Sequence, residues 1–355
     1  MNSFQSQRPW VVVVGGFLGA GKTSLILAAA RLLAERGLRS AVILNDQGDE
    51  LVDTRHAEVS GMASGEVTGG CFCCKFSELI SAIEKIKSHA PDVIFAEPVG
   101  SCTDIVSTVL APLLEEFDRY RIAPFTVLVD PARAAALLRK NAEPNAAFLF
   151  RKQLQEADLV CMTKTDVYSD FAEIPHAEIR YISAKSGKGV QEWLDEILSG
   201  SYTAGTKTLD IDYEQYARAE AALAWLNLSF TFEPEVPVTP ASAIGPFMDR
   251  LDDALTEAGI PIAHLKLMSS SSAGWLKAAI CANGQGPTVE GDLDASPAKK
   301  HDLLLNLRVS GSPTQVQQIV EKQLEYFAGK THHMRLDCFS PAPPKPERKI
   351  ARAHA

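Results

Sequence analysis

Eight residues, Gly16–Thr23 (GFLGAGKT), follow the apolar run Val11–Val14 and precede the helix-forming stretch SLILAAARLLAER. They fit the phosphate-loop pattern G-x-x-x-x-G-K-[ST] without a mismatch. Gly16, Gly19 and Gly21 let backbone N–H groups turn inward around a di- or triphosphate. Lys22 reaches the β and γ oxygens as a point charge. Thr23 offers its hydroxyl to Mg²⁺ and opens a helix whose N-terminus favours an anion. Residues 16 and 19–24 (Gly16, Gly19, Ala20, Gly21, Lys22, Thr23, Ser24) are therefore expected to bind phosphate.

The strand–loop–helix order extends through the first 200 residues. Expected strands are Trp10–Val14, Ser40–Asn45, Asp92–Ala96, Phe125–Val129, Asp158–Met162 and Glu178–Ile182. Helical periodicity falls between them at Glu78–Lys87, Asp104–Phe117, Pro131–Lys140 and Gln191–Leu198. Such alternation predicts an α/β domain with a mostly parallel sheet, whose ligands sit at the carboxyl ends of the strands. The small polar stretch SGSYTAGTKT reads as a linker. Beyond it, strand–helix–strand–strand–helix–strand, with one extra strand, predicts a smaller α+β domain of ferredoxin-like kind. The boundaries expected are 8–200, 209–340 and a disordered, proline-rich tail at 341–355.

Composition narrows the partners. The formal net charge of −9 leaves no general basic face for nucleic acid or anionic membrane. No apolar stretch approaches the roughly 20 residues of a membrane span, and the N-terminus lacks a signal-like segment. Seven cysteines, three of them within four positions, suit a reducing cytoplasm better than a disulfide framework.

Two further segments carry nucleotide chemistry. Thr163–Asp166 (TKTD) ends an apolar strand and is similar to a guanine-specificity motif. Asp166 would accept from guanine N1–H and N2–H₂ together, while the stem of Lys164 packs on the base. Adenine offers no such donor pair, which favours GTP over ATP. Ser183, Ala184 and Lys185 follow the next strand, where a loop supports the guanine. Glu97 and Gly100 (EPVG) give an acidic-x-x-Gly element: the acid serves Mg²⁺ and the glycine N–H senses a γ-phosphate.

The second strong signal is Gly69–Cys74 (GGCFCC). Thiolates at Cys71, Cys73 and Cys74 suit Zn²⁺, Cu(I) or another thiophilic ion such as Co²⁺. In an extended loop Cys71 and Cys73 point the same way, and Cys74 needs a local turn to join them. Three protein ligands leave a tetrahedral site one short, so the site reads as open or exchangeable. Cys102 reads as a small packed side chain.

In this order the motifs resemble the metal-chaperone GTPases typified by CobW, relatives of the hydrogenase and urease nickel-insertion GTPases. The resemblance rests on GFLGAGKT, LNDQGDE, GCFCC, EPVG and TKTD and covers about residues 10–200. It implies a GTPase that binds a transition metal, zinc or cobalt, at the cysteines and delivers it to a target metalloprotein or cofactor pathway. It also makes Glu97 the second magnesium acid beside Thr23, and places Asp46 and Glu50 in a switch segment. The family usually has glutamate where this chain has Leu44, and its histidine-rich tract is reduced here to His332–His333. Asp46, Gln47 and Glu50 are the candidates for orienting water, in a reaction expected to be slow.

Other readings fit part of the pattern. One is a nucleotide-gated regulator of a metal- or cobalamin-dependent enzyme with redox-sensing cysteines. Another is a small-molecule kinase, disfavoured by the guanine motif. The expected partners are GTP and an acceptor protein, with homodimerisation admitted. Asp166→Asn exchanges an acceptor for a donor and should move binding preference from guanine toward xanthine nucleotides. Unchanged relative affinities for GTP and XTP would remove Asp166 from the base pocket.

Overall fold

The computed structural model describes residues 8–350 except Asp49, Phe117, Asp118 and Ala177. The described residues divide into two compact units, one within 8–47, 57–219 and 343–350, the other within 48–56 and 220–342.

The first unit is built on β1 (Trp10–Gly16), α1 (Lys22–Glu35), β2 (Ser40–Asn45), the last residues (57–59) of α2 (Val52–Val59), β3 (Ala63–Val67), α3 (Phe76–Ile86), β4 (Val93–Glu97), α4 (Ala111–Glu116) and β5 (Arg121–Ile122). It continues through β6 (Thr126–Val129), α5 (Pro131–Leu137), α6 (Pro144–Glu156), β7 (Leu159–Met162), β8 (Ile179–Tyr181), α7 (Val190–Leu198) and α8 (Tyr213–Ala221). The strands form a parallel sheet in the order β3-β2-β4-β1-β6-β7-β8, with β5 pairing β1. Val11–Val14 of β1 are wholly buried, as a central parallel strand covered on both faces requires. With β4 and β6 as neighbours of β1, the carboxyl ends of all three open on one edge of the sheet.

The stretch 51–70 reads in the sequence as a glycine-bearing connection. Here it contains the short helix α2 and the edge strand β3, which pairs Ala63–Val67 with Ala41–Asn45. The tail also departs from expectation. Residues 343–350 are ordered against the first unit through hydrogen bonds from Lys345, Glu347 and Ile350. Prolines at 341, 343, 344 and 346 restrict the free chain, which reduces the entropy lost on ordering it. Residues 351–355 lie outside the described residues.

The second unit comprises β9 (Leu223–Pro234), α9 (Pro240–Glu257), β10 (Ile262–Ser271), β11 (Gly274–Ile280), β12 (Thr288–Gly291), β13 (His301–Ser310), α10 (Pro313–Leu324) and β14 (Gly329–Phe339). Its antiparallel order is β12-β11-β10-β13-β9-β14. Four of these strands, β14-β9-β13-β10, have the ferredoxin-like arrangement, with α9 and α10 each crossing between strands. The extra strand foreseen in the sequence proves to be a hairpin, β11–β12, extending the β10 edge. The core of the unit joins Phe247 and Leu251 of α9 and Val316 and Val320 of α10 to Leu226, Leu265 and Leu305 of the sheet.

In the first unit, the loop after β4 is braced from α6 and α8. Gln153 Nε2 donates to the carbonyls of Gly100 (3.0 Å) and Cys102 (2.9 Å). The Tyr216 hydroxyl accepts from Thr103 N at 3.0 Å. Glu156 accepts from the Thr103 hydroxyl and from Val106 N, both at 3.1 Å. Burial pushes the Glu156 carboxyl up to about 8, against the Val106 amide, which favours the charged form. A carboxyl raised on folding holds its proton in the native state at pH values where the unfolded chain has lost it. Stability therefore falls as pH rises from the ordinary carboxylate range to about 8. Glu156→Gln should flatten that fall, raising Tm relative to the parent above pH 8 and changing it little near pH 4. Parallel Tm–pH curves for the two proteins would refute this assignment.

Candidate nucleotide and metal site

The phosphate loop joins β1 to α1. Gly16, Gly19 and Gly21 have φ of 132°, 80° and 92°, values that favour glycine. At Gly16 a Cβ would lie 2.4 Å from the Leu128 carbonyl oxygen, so no larger residue fits. Lys22 Nζ donates to Gly16 O at 3.1 Å and lies 3.9 Å from Glu97 Oε1. The Thr23 hydroxyl donates to Glu97 at 2.9 and 3.2 Å. All three side chains are buried, so this ammonium, hydroxyl and carboxylate neutralise one another in a poorly solvated place. Gly100 packs directly on the loop: a Cβ there would approach Leu18 Cδ2 to 2.8 Å.

The guanine-type segment meets the same loop. The Thr163 hydroxyl donates to Ala20 O (3.0 Å) and Val129 O (3.1 Å). Lys164, at φ 55°, forms an ion pair with Asp130, which also caps α5. Asp166 is exposed and accepts from the Ser183 hydroxyl at 2.7 Å. Ser183 Oγ in turn accepts from Ser186 N at 3.1 Å. Residues Thr163, Lys164, Asp166 and Ser183 thus sit together, with Ala184 and Lys185 on the adjoining turn. Oxygen donors for Mg²⁺ are present in Thr23 and Glu97, a hydroxyl and a carboxylate of the hard kind that ion takes.

The cysteines do not lie in an extended loop. Cys74 N and Lys75 N both donate to Cys71 O, at 2.9 and 3.0 Å, so residues 71–75 form a tight turn leading into α3. That turn gathers all three thiols: Cys71–Cys73 2.8 Å, Cys71–Cys74 3.2 Å and Cys73–Cys74 3.7 Å between sulfurs. Cys71 and Cys73 are buried and Cys74 is half-buried. Asn45, at the carboxyl end of β2, holds the turn in place. Its Nδ2 donates to Val67 O (2.8 Å) and Gly70 O (2.7 Å), and its Oδ1 accepts from Phe72 N (2.8 Å).

Cys102 adjoins this cluster. It hydrogen-bonds the Cys71 thiol from the loop after β4, where the sequence suggested a packed side chain. The Cys102, Cys73 and Cys74 thiols together hold Cys71 well below the usual thiol range. Its neighbours move the other way. The bond to Cys71 lifts Cys73 well above that range and Cys74 to about 11. One sulfur is therefore the preferred thiolate of the group.

A family model for the CobW/HypB/UreG nucleotide-binding domain matches residues 10–188. The chain belongs to this family. It is 29% identical over 186 residues to the zinc chaperone YjiA of Escherichia coli strain K12, covering 50% of this chain and 55% of the relative. To the zinc chaperone YeiR of the same organism it is 30% identical over 160 residues, covering 43% and 46%. HypB from Helicobacter pylori in complex with nickel aligns at a TM-score of 0.42 and 18% identity, covering 54% of this chain and 86% of that one. The chain spans about half the length of the zinc chaperones it matches.

Not every expected residue converges. Asp46 stays beside β3, its N–H donating to Val67 O at 3.2 Å. Glu50 groups with the second unit, where its carbonyl accepts from Asn306 Nδ2 (3.2 Å) and its carboxylate lies 3.4 Å from Arg335. Sequence reasoning missed Asn45 and read Cys102 as a packed side chain rather than as a neighbour of the thiols. The position of Asn45 at the end of an apolar strand was the available signal; Cys102 had none but its place after Gly100. Asn45→Asp leaves two carbonyls without their donor and should weaken metal binding about ten- to a hundredfold, as loss of an outer-shell support does. A metal titration giving the parent's affinity would remove that role.

Proposed function

We propose that this chain is a GTP-hydrolysing metallochaperone. It takes up zinc or cobalt at Cys71, Cys73 and Cys74 and delivers it to an acceptor metalloprotein or cofactor pathway. The phosphate loop and Lys22 bind the triphosphate, and Asp166 reads the guanine with Ser183 fixing its carboxylate. Thr23 and Glu97 would hold Mg²⁺, which when bound neutralises charge on the β and γ oxygens. Three soft sulfurs leave a tetrahedral ion one open position, the arrangement expected of cargo rather than of a structural ion.

The observation that carries this reading is the placement of Cys102. It lies two residues beyond Gly100 and hydrogen-bonds Cys71. Gly100 packs on the phosphate loop at Leu18, and the Gln153 amide binds the carbonyls of both Gly100 and Cys102. A γ-phosphate that draws on the Gly100 N–H therefore moves a segment that touches the metal-binding thiols. Nucleotide and metal then share one loop as their two-state element.

Binding of metal should tighten in the presence of a non-hydrolysable GTP analogue relative to GDP. The expected factor is 5- to 150-fold, roughly 1–3 kcal/mol, with GTP tightened by metal to the same degree. A competition titration with a chromophoric metal probe measures it. Cys102→Ala should bind both ligands while losing most of the difference between the nucleotide states. Equal metal affinities with the analogue and with GDP in the parent protein would rule out nucleotide-gated delivery.

A further inference from the structure

Cys74 is the one member of the cysteine trio that reaches the surface, so an ion entering or leaving the cluster passes it. A segment from the far end of the chain lies across that approach. Lys345 N donates to Cys74 Sγ at 3.0 Å, and Glu347 N donates to Cys73 O at 2.9 Å. The Glu347 carboxylate accepts from Ser77 N (2.8 Å) and from the Ser77 hydroxyl (2.7 Å). The Glu347 carboxylate thus caps α3, whose own N-cap residue, Lys75, supplies no capping hydrogen bond from its side chain. Further on, Lys349 Nζ lies 3.2 Å from the buried Asp104 carboxylate and 4.5 Å from the centre of the Tyr213 ring. Ile350 N donates to Ser107 O at 2.9 Å.

From these contacts we propose that residues 343–350 are a strap forming the outer wall of the metal site, which lifts to let a thiophilic cation pass. The proposal rests on the metal-binding reading of the cysteines and adds the device that controls their access. Its construction suits that task. The strap is proline-stiffened and mostly exposed, and it is attached by polar contacts rather than by apolar burial. The charged contact of Glu347 with Ser77 is exposed, hence weak and sensitive to salt, so this part of the strap opens far more readily than the sheet beneath it. It is fixed at both sides of the site: at Ser77 on α3, and at Asp104 and Ser107 beyond Cys102. The Lys345 amide occupies the outer side of Cys74, the side an acceptor protein must reach to place its own ligand on the ion.

The test compares the full chain with a chain ending at Ala342 and with two single variants. Lys345→Pro removes the N–H that meets Cys74 while keeping the chain extended. Glu347→Ala removes the anchor on α3. With metal absent, the rate of Cys74 alkylation by N-ethylmaleimide, read by peptide mass, should rise at least tenfold in the shortened chain. The two variants should fall between. Loaded with Co²⁺, the same proteins should pass the ion to a chromophoric chelator in the same order of rates, and added salt should speed only those that keep the strap. Equal alkylation rates in all four proteins, or equal transfer rates, would overturn the strap. The metal-binding reading fails on a different result: Co²⁺ held unchanged by a protein with Cys71, Cys73 and Cys74 all replaced by Ser. The alkylation rates report on the strap in either case.

Discussion

Glu97 is a buried carboxylate that the fold tolerates because Thr23 donates to it and Lys22 stands close by. An unpaired charge in that position would be costly, and a paired one fixes the end of β4 against the start of α1. Everything that follows β4 is referenced to this point. The chain leaves Glu97, passes Gly100 in contact with the phosphate loop, and reaches Cys102 beside Cys71 within five residues. The parallel sheet supplies the frame. With β2, β4 and β1 side by side, the cysteine turn, the acid and the phosphate loop emerge at one edge without any long-range excursion of the chain.

The two donor sets differ in softness. Hard oxygen donors, a hydroxyl and a carboxylate, stand at Thr23 and Glu97, while soft sulfur gathers at Cys71, Cys73 and Cys74. In the proposed function, a divalent ion suited to one donor set has little reason to take the other's place. The loop between them is held by side chains from α6 and α8 that make no contribution to either donor set. Gln153 grips two of its carbonyls and Glu156 two of its donors, so it is positioned throughout but not covalently rigid.

The sequence revealed those parts whose chemistry is written in consecutive residues. GFLGAGKT, TKTD, EPVG and CFCC each stand out by residue types at short spacing, although the turn that gathers the cysteines is not written in CFCC itself, and strands such as Val11–Val14 announce themselves by continuous apolar character. The ferredoxin-like order was legible for the same reason, since its strands and helices are long and strongly patterned. What stayed hidden was either weakly patterned or non-local. The edge strand Ala63–Val67 (ASGEV) buries only Val67 and carries a glycine, so neither periodicity nor propensity marks it. The contact of Cys102 with Cys71, the bracing by Gln153 and Glu156, and the path of the C-terminal segment depend on residues far apart in the chain. Proline richness, read as disorder, here stiffens a segment that hydrogen bonds then hold down.

The strap also decides which end of the molecule can carry foreign sequence. Five residues separate Lys345 from Ile350, a span of at most about 18 Å. An imidazole-rich extension joined a few residues later is close enough to fold back to the thiols and add ligands to them. Metal stoichiometry measured on such a fusion would describe the cysteines and the extension together. The opposite end offers a cleaner attachment point. β1 begins at Trp10 and delivers the phosphate loop only at its carboxyl end, so additions before it enter at the edge of the sheet away from both sites.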